Sequence, residues 1–283
     1  MRKQIFALLA CLLLAGCGAP AETAASTDSR PDSALAEPIS APAIVTEGQI
    51  PEGDLDLPTE VVSLYGWQTS GEPLALLAEL PERGMALYGI SDVGEPHVLF
   101  RWGDTLAAFP DWVIDTPKSV TPELLALDLD GDGAAEPVVL CYQGGTQVNL
   151  YDLHVLQQSS GTLTDYRLPE ALYAEQLSAL LTLGGSGETL TVSLGDQSIE
   201  AALPEGVQAE TLDRLWTGAF VSWSEEGDSL WLEDRPALYP ADSTLASVVS
   251  LAVLSARVSF SDGRFTLSDM TLQSKFSEVF HKE

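Results

Sequence analysis

From about Val61 onward the chain is written in short apolar runs, each closed by Gly, Pro, Asp or Ser. Runs of that length, bounded by turn residues, predict strands joined by tight turns. "LALLAEL" (74–80) and "MALYGI" (85–90) flank "PERG", which predicts a hairpin, or a short helix followed by a strand. "HVLFRWG" (97–103) and "TLAAF" (105–109) meet at the turn pair Gly103-Asp104. "LLALDLD", "PVVLCYQ", "VNLYDLHVL" and "TLTDYRL" then follow between residues 124 and 168, each of strand length. One segment breaks the pattern. "LPEALYAEQLSALLTL" (168–183) opens with Pro169 and Glu170, and spaces Leu172, Gln176, Leu177, Leu180, Leu181 and Leu183 along one helical face. That predicts an amphipathic helix stopped by "LGGSG", its leucine stripe serving core packing rather than a partner. Hairpins then return, turning at Gly195-Asp196, through Glu225–Asp228 and at Asp262-Gly263. The fold class expected is mainly β, built of antiparallel hairpins in a propeller-blade-like or sandwich-like arrangement, with one or two short helices. A β domain is expected over 59–168, and a helix-plus-hairpin subdomain over 169–283; the two are read either as separate subdomains or as one continuous structure.

The N-terminal fifth follows another rule. Arg2 and Lys3 precede an apolar run of 11 residues, Ile5 to Ala15. A membrane-spanning helix needs about 20, so the run fits a secretory signal. It ends in Leu14-Ala15-Gly16-Cys17, which closely resembles the lipobox of bacterial lipoproteins. That resemblance implies a signal peptide over 1–16, cleavage before Cys17, and a diacylglyceryl group on the Cys17 thiol. The lipid would anchor the chain to the cell membrane, facing the extracytoplasmic side. Residues 17–58 are rich in Ala, Ser, Thr, Pro and Glu and lack aromatics, a composition that predicts a disordered tether. Of three cysteines, Cys11 leaves with the signal and Cys17 takes the lipid. Cys141 is left without an intrachain partner, so no disulfide is expected. Its place in "PVVLCY" reads as a buried small hydrophobe rather than a nucleophile.

Charge narrows the function classes. The 283 residues carry 13 Lys and Arg against 42 Asp and Glu, a net charge of −29. Loss of Arg2 and Lys3 with the signal would take it to −31. Such a field repels nucleic acid and attracts cations, and no basic cluster overrides it.

"ALDLDGDGAAEPVVL" (126–140) concentrates the acids. With Asp128 as position 1, Asp130 is 3, Asp132 is 5, Ala134 is 7 and Glu136 is 9. Calcium takes six to eight hard oxygens, and alternate carboxylates converge when the backbone between them curls. Gly133 at position 6 permits the curl, the Ala134 carbonyl offers a further oxygen, and Glu136 would close the shell. Unneutralised, four such carboxylates would repel one another by several kcal/mol, at an order of magnitude. The competing readings are an ion-free acidic turn and a catalytic metal site. An EF-hand does not fit, because position 12 is Val139 and Pro137 opposes an incoming helix. The loop is similar instead to the D-x-D-G-D-G-x-x-E loop of FG-GAP and VCBS-type repeat proteins, which joins two strands. That likeness implies calcium held by Asp128, Asp130, Asp132, the Ala134 carbonyl and Glu136. Propeller families carry several such loops, and this chain carries one. "VVLCYQGGTQVNLYDLHVL", "ALYGI", "VLFRWG" and "ARVSFSDGRFTLSDMTL" further resemble stretches of a group of bacterial lipoproteins of uncharacterised activity.

No G-x-S-x-G, H-E-x-x-H or phosphate-cradling glycine loop is present. His154 in "LYDLHVL" reads as a satisfied structural histidine rather than a base, and the six tryptophans as core packing rather than a glycan site. Pairs such as Asp111 and Asp115 are expected by chance among 42 acids and carry no glycosidase role. The sequence therefore leads to a membrane-anchored extracytoplasmic lipoprotein with a structural calcium, binding an unidentified protein or glycan. An enzyme acting on envelope polysaccharide or peptidoglycan, and a structural envelope component, are the alternatives.

Overall fold

A computed structural model of the chain describes residues 37–51, 55–91, 97–112, 114, 119–144, 150–203, 205–212, 217–218, 220–238, 249–250 and 252–274. The signal, the lipobox with Cys17, residues 145–148, Asp115, Trp216 and His281 lie outside the described residues. The chain divides by compactness at Asp32/Ser33, and every described residue belongs to the second unit.

In chain order the elements are β1 (Ile39–Pro42), β2 (Ile44–Glu47), α1 (Leu64–Ser70), β3 (Leu74–Leu80), β4 (Met85–Ile90), β5 (His97–Trp102), β6 (Thr105–Phe109), β7 (Glu123–Leu127), β8 (Glu136–Tyr142), β9 (Tyr151–Ser159), β10 (Thr162–Leu168) and α2 (Glu170–Leu180). The remainder are β11 (Leu181–Ser186), β12 (Thr189–Leu194), β13 (Gln197–Ala202), β14 (Val221–Glu226), β15 (Ser229–Asp234), β16 (Ala237–Leu238), β17 (Val249–Ser250), β18 (Ala252–Ser261) and β19 (Arg264–Ser274). The protein is mainly β with short helices, and every ladder between named strands is antiparallel.

Two four-stranded meanders follow each other. The first is β3-β4-β5-β6, and the second is β7-β8-β9-β10 with β2 added outside β10. The second meander is covered on both faces. Val138 and Leu140 of β8 and Leu153 and Val155 of β9 face one core, with Tyr173 and Leu177 of α2 and the inner faces of β12, β15 and β18. Val139, Cys141 and Leu156 face the other core, with Leu87, Phe100 and Phe109 of the first meander. Strands alternate their side chains, so a strand covered on both faces reads as an unbroken apolar run. All seven residues of β8 are buried. Beyond α2 come the three-stranded sheet β11-β12-β13 and the five-stranded sheet β1-β19-β18-β15-β14.

Three hairpin turns fall where the turn pairs placed them: Trp102 pairs with Thr105, Leu194 with Gln197 and Ser261 with Arg264; the one expected through Glu225–Asp228 is tighter, with Glu225 and Glu226 in β14 and Glu226 paired with Ser229. Two expectations need correction. The predicted helix runs on to Leu183, but α2 ends at Leu180 and β11 begins at once, pairing Leu181 with Leu194. Leucine suits either conformation, and the waiting edge of β12 takes the residues the helix would have used. The expected tether reaches residue 58, yet β1 and β2 lie inside it. Ile39–Pro42 pairs with Leu267–Arg264 of β19, and Ile44–Glu47 with Arg167–Thr164 of β10. Gln49 then exchanges backbone hydrogen bonds with Ala108 of β6 (2.9 and 2.7 Å). Residues 39–49 thus touch three sheets in succession. Of the two arrangements left open for the halves, the apolar interior follows the continuous one: the core that Tyr173 joins draws on both sides of residue 169, from Ala41 to Leu272.

Candidate metal centre

The acidic loop is the β7–β8 connection, and the strands on either side of it pair Leu127 with Glu136. Asp128, Asp130, Asp132 and Glu136 each offer one carboxylate oxygen, and these four atoms lie within 4.8 Å of one another. The curl that gathers them is built from local hydrogen bonds. Asp128 Oδ1 accepts the N–H groups of Gly131 (2.7 Å) and Asp132 (3.1 Å), and its Oδ2 accepts Gly133 N–H (3.0 Å). Asp130 Oδ1 accepts Asp132 N–H (3.0 Å), and Asp132 Oδ1 accepts Ala134 N–H (2.7 Å). Gly131 (φ 77°) and Gly133 (φ 89°) take left-handed conformations that a Cβ would strain. Donors on one oxygen of Asp130 and Asp132 leave the second of each for a cation.

The loop is fastened from below. Leu129, between two of the acids, is buried among the apolar residues that β8 and β9 turn toward α2. Its N–H donates to Glu136 Oε2 (3.0 Å), and its carbonyl accepts Phe260 N–H of β18 (2.9 Å). The loop is therefore tied to the five-stranded sheet as well as to its own. Glu136 is buried, whereas Asp130 and Asp132 are exposed. Burial pushes the Glu136 carboxyl above its usual range. The Leu129 amide draws it down, and the charges of Asp130 and Asp128 push it up again. Convergent carboxylates of mixed burial, oriented by backbone amides, are a donor set that a hard divalent cation fits. The structure gathers the four side chains read from the sequence; the Ala134 carbonyl, the fifth ligand read there, lies at the loop's exit.

The other sequence candidates fall into packed interior. His154 is buried between the two meanders, with Nδ1 3.1 and 3.0 Å from the two oxygens of Asp165. Trp112 Nε1 donates to Asp165 Oδ2 (2.7 Å), and the Trp112 and His154 rings lie 4.0 Å apart. Cys141 approaches the same imidazole, and all four side chains are at most 2 % exposed. A cysteine, a histidine and an aspartate in contact have the chemistry of a nucleophile and its base, but here no substrate can reach them. Trp67 and Trp231 are buried too, so the tryptophans do not form one exposed face. Sequence reading missed Asp165, although an acid in phase with core-facing Leu163 on β10 signals a buried partner for His154. No helix among the described residues is long and apolar enough to cross a membrane.

Compared with protein-family models, with curated proteins and with solved structures, the chain matches none. The likeness of its loop to FG-GAP and VCBS-type loops therefore rests on residues 128–136 themselves.

Proposed function

We propose that this protein is a lipid-anchored extracytoplasmic binding module whose fold is clamped by one calcium ion at the β7–β8 loop. The observation that carries the reading is the convergence of Asp128, Asp130, Asp132 and Glu136 on one point, with Leu129 tying that point to two sheets. The cation would neutralise four carboxylates and lock the loop; it would supply no chemistry to a substrate. The lipobox-like Leu14–Cys17 supports the anchor, and the strong negative charge supports a partner other than nucleic acid.

Thermal melting of the chain in calcium and in chelator tests the clamp. Calcium should raise Tm by several degrees, elemental analysis should find about one calcium per chain, and D130N with D132N should abolish both effects. Equal melting temperatures and no bound calcium would sink it. For the anchor, fatty-acid labelling in cells should mark the chain and be lost in C17A. For the module, pull-downs on cell-wall and glycan panels should retain the wild type; a blank panel would leave a purely structural envelope role in its place.

A further inference from the structure

Three carboxylates gather where the first turn of α2 meets the end of the β14–β15 hairpin. Asp152 of β9 accepts Glu170 N–H on Oδ1 (2.9 Å), and Arg167 Nη1 lies 3.7 Å from its Oδ2. Glu170 opens α2 and is half-buried. Asp234 closes β15 and is 0 % exposed. Among the described residues neither oxygen of Asp234 has a hydrogen-bond partner of normal geometry. Gly218 stands between the two acids. Its backbone amide lies toward Asp234, and a Cβ built on it would come within 2.8 Å of Glu170 Oε1 and 2.6 Å of Ala174 Cβ. Thr217 Oγ1 donates to the Ala174 carbonyl (2.6 Å), so the segment before β14 is pinned to α2 beside these carboxylates.

Among the described residues, what faces Asp234 is acidic or neutral, apart from two backbone amides. From α2 come Glu170 and Tyr173; Tyr173 is buried and donates its hydroxyl to the Tyr151 carbonyl (2.9 Å). Asp152 lies behind Glu170, with Arg167 beside it, and the neighbouring Arg235 is exposed. The group is not a metal cage: among the described residues, the Asp128 loop is the one place where three or more ligand atoms converge. A carboxylate buried with no counter-ion among the described residues, and with only poorly placed amides near it, pays heavy desolvation and takes up a proton instead.

We propose that Asp234 is a proton switch, carried in the fold as a neutral carboxylic acid beside Glu170, whose ionisation loosens the seam between α2 and the β14–β15 hairpin. Burial raises the Asp234 carboxyl from 3.8 to about 7; the Gly218 and Arg235 amides oppose the rise, and the Glu170 charge adds to it. Glu170 is itself raised, by burial and by Asp152. Between about pH 4 and about pH 7 the folded chain therefore holds a proton that the unfolded chain has released. The stability this confers is full at the acid end of that window and declines as pH rises through about 7.

The test is a set of thermal melts of the full chain from about pH 5 to about pH 8.5, in saturating calcium and again in chelator. Wild type, D234N and E170Q are compared. The Tm of wild type relative to D234N should fall by roughly 5 °C or more across the range, and E170Q should move the midpoint to lower pH. Infrared spectra of the wild type should show the carbonyl stretch of a protonated carboxylic acid, fading as pH rises and missing in D234N. A wild-type-to-D234N difference that is constant with pH would overturn the proposal, as would absence of the acid band. So would a pH slope that calcium abolishes even when D132N has disabled the loop, because a cation would then sit on Asp234. Should D234N fail to fold, the infrared titration of wild type and the E170Q midpoint decide.

Discussion

A histidine with a buried carboxylate on one side and an indole on the other has little freedom of charge. Burial alone would push the His154 imidazole down, but the Asp165 charge beside it, with Cys141 adding to the same effect, holds it up at about 10. The proton is therefore bound more tightly in the fold than in the unfolded chain. Its contribution to stability is complete below about pH 6.5 and is lost as pH rises through about 10. H154F should accordingly flatten the alkaline limb of the stability profile between those values, read from denaturant midpoints at a series of pH. D165N should be harsher, because it leaves an imidazolium buried without its counter-charge. A loss of about 3–5 kcal/mol in urea unfolding is expected, and a loss below about 1 kcal/mol would show that the pair contributes packing alone. His154 was readable as structural from its place in an apolar strand. Asp165 left one signal, its phase with Leu163 on the next strand; Trp112 left none, because it is 53 residues from Asp165 in sequence and meets it only through the stacking of two meanders.

At the scale of elements, turn chemistry carried furthest. Gly103-Asp104, Gly195-Asp196 and Asp262-Gly263 set registers that the ladders reproduce, since a two-residue turn fixes which residues face each other. The acidic loop was legible for a similar reason: its ligands are contiguous, and the curl is written in Gly131 and Gly133. The trio Asp152, Glu170 and Asp234 was invisible, because three separate elements bring it together. Helix ends were also misread where leucines continue past the last turn of α2. The short α1 passed unnoticed, although Ser63 caps it by accepting Gly66 N–H (3.1 Å) and Gly71 ends it in a left-handed turn. One close approach seats that helix on the sheet. Trp67 lies over Gly89 of β4, where an added Cβ would come within 2.5 Å of the indole ring. G89A should therefore displace Trp67 and cost about 1–3 kcal/mol. Tryptophan fluorescence and urea midpoints would register it, and an unchanged midpoint would mean that α1 shifts freely.

For the whole molecule, the segment Ile39–Gln49 matters more than its composition suggests. "ISAPAIVTEGQ" is short, Pro-containing and largely exposed, and nothing in it predicts a strand without knowledge of its partners. It becomes one because β19, β10 and β6 present open edges, and an edge strand draws its stability from the sheet it joins. Two truncations separate the alternatives. Deleting residues 18–36 should leave Tm unchanged, whereas deleting 18–58 should lower it and promote aggregation through the bared edges of β10 and β19. Equal melting of the two would restore the tether reading as far as residue 58. The position of this segment also changes what the proposed anchor would pull on. With a lipid on Cys17, the span between membrane and first strand holds 22 residues and reaches about 75 Å at most, where a tether ending at residue 58 would reach about 145 Å. Were Cys17 so anchored, a tug on it would arrive first at β1, and would strip β1 from β19, then β2 from β10, before straining the first meander. The mooring line is spliced along three sheets rather than knotted to one.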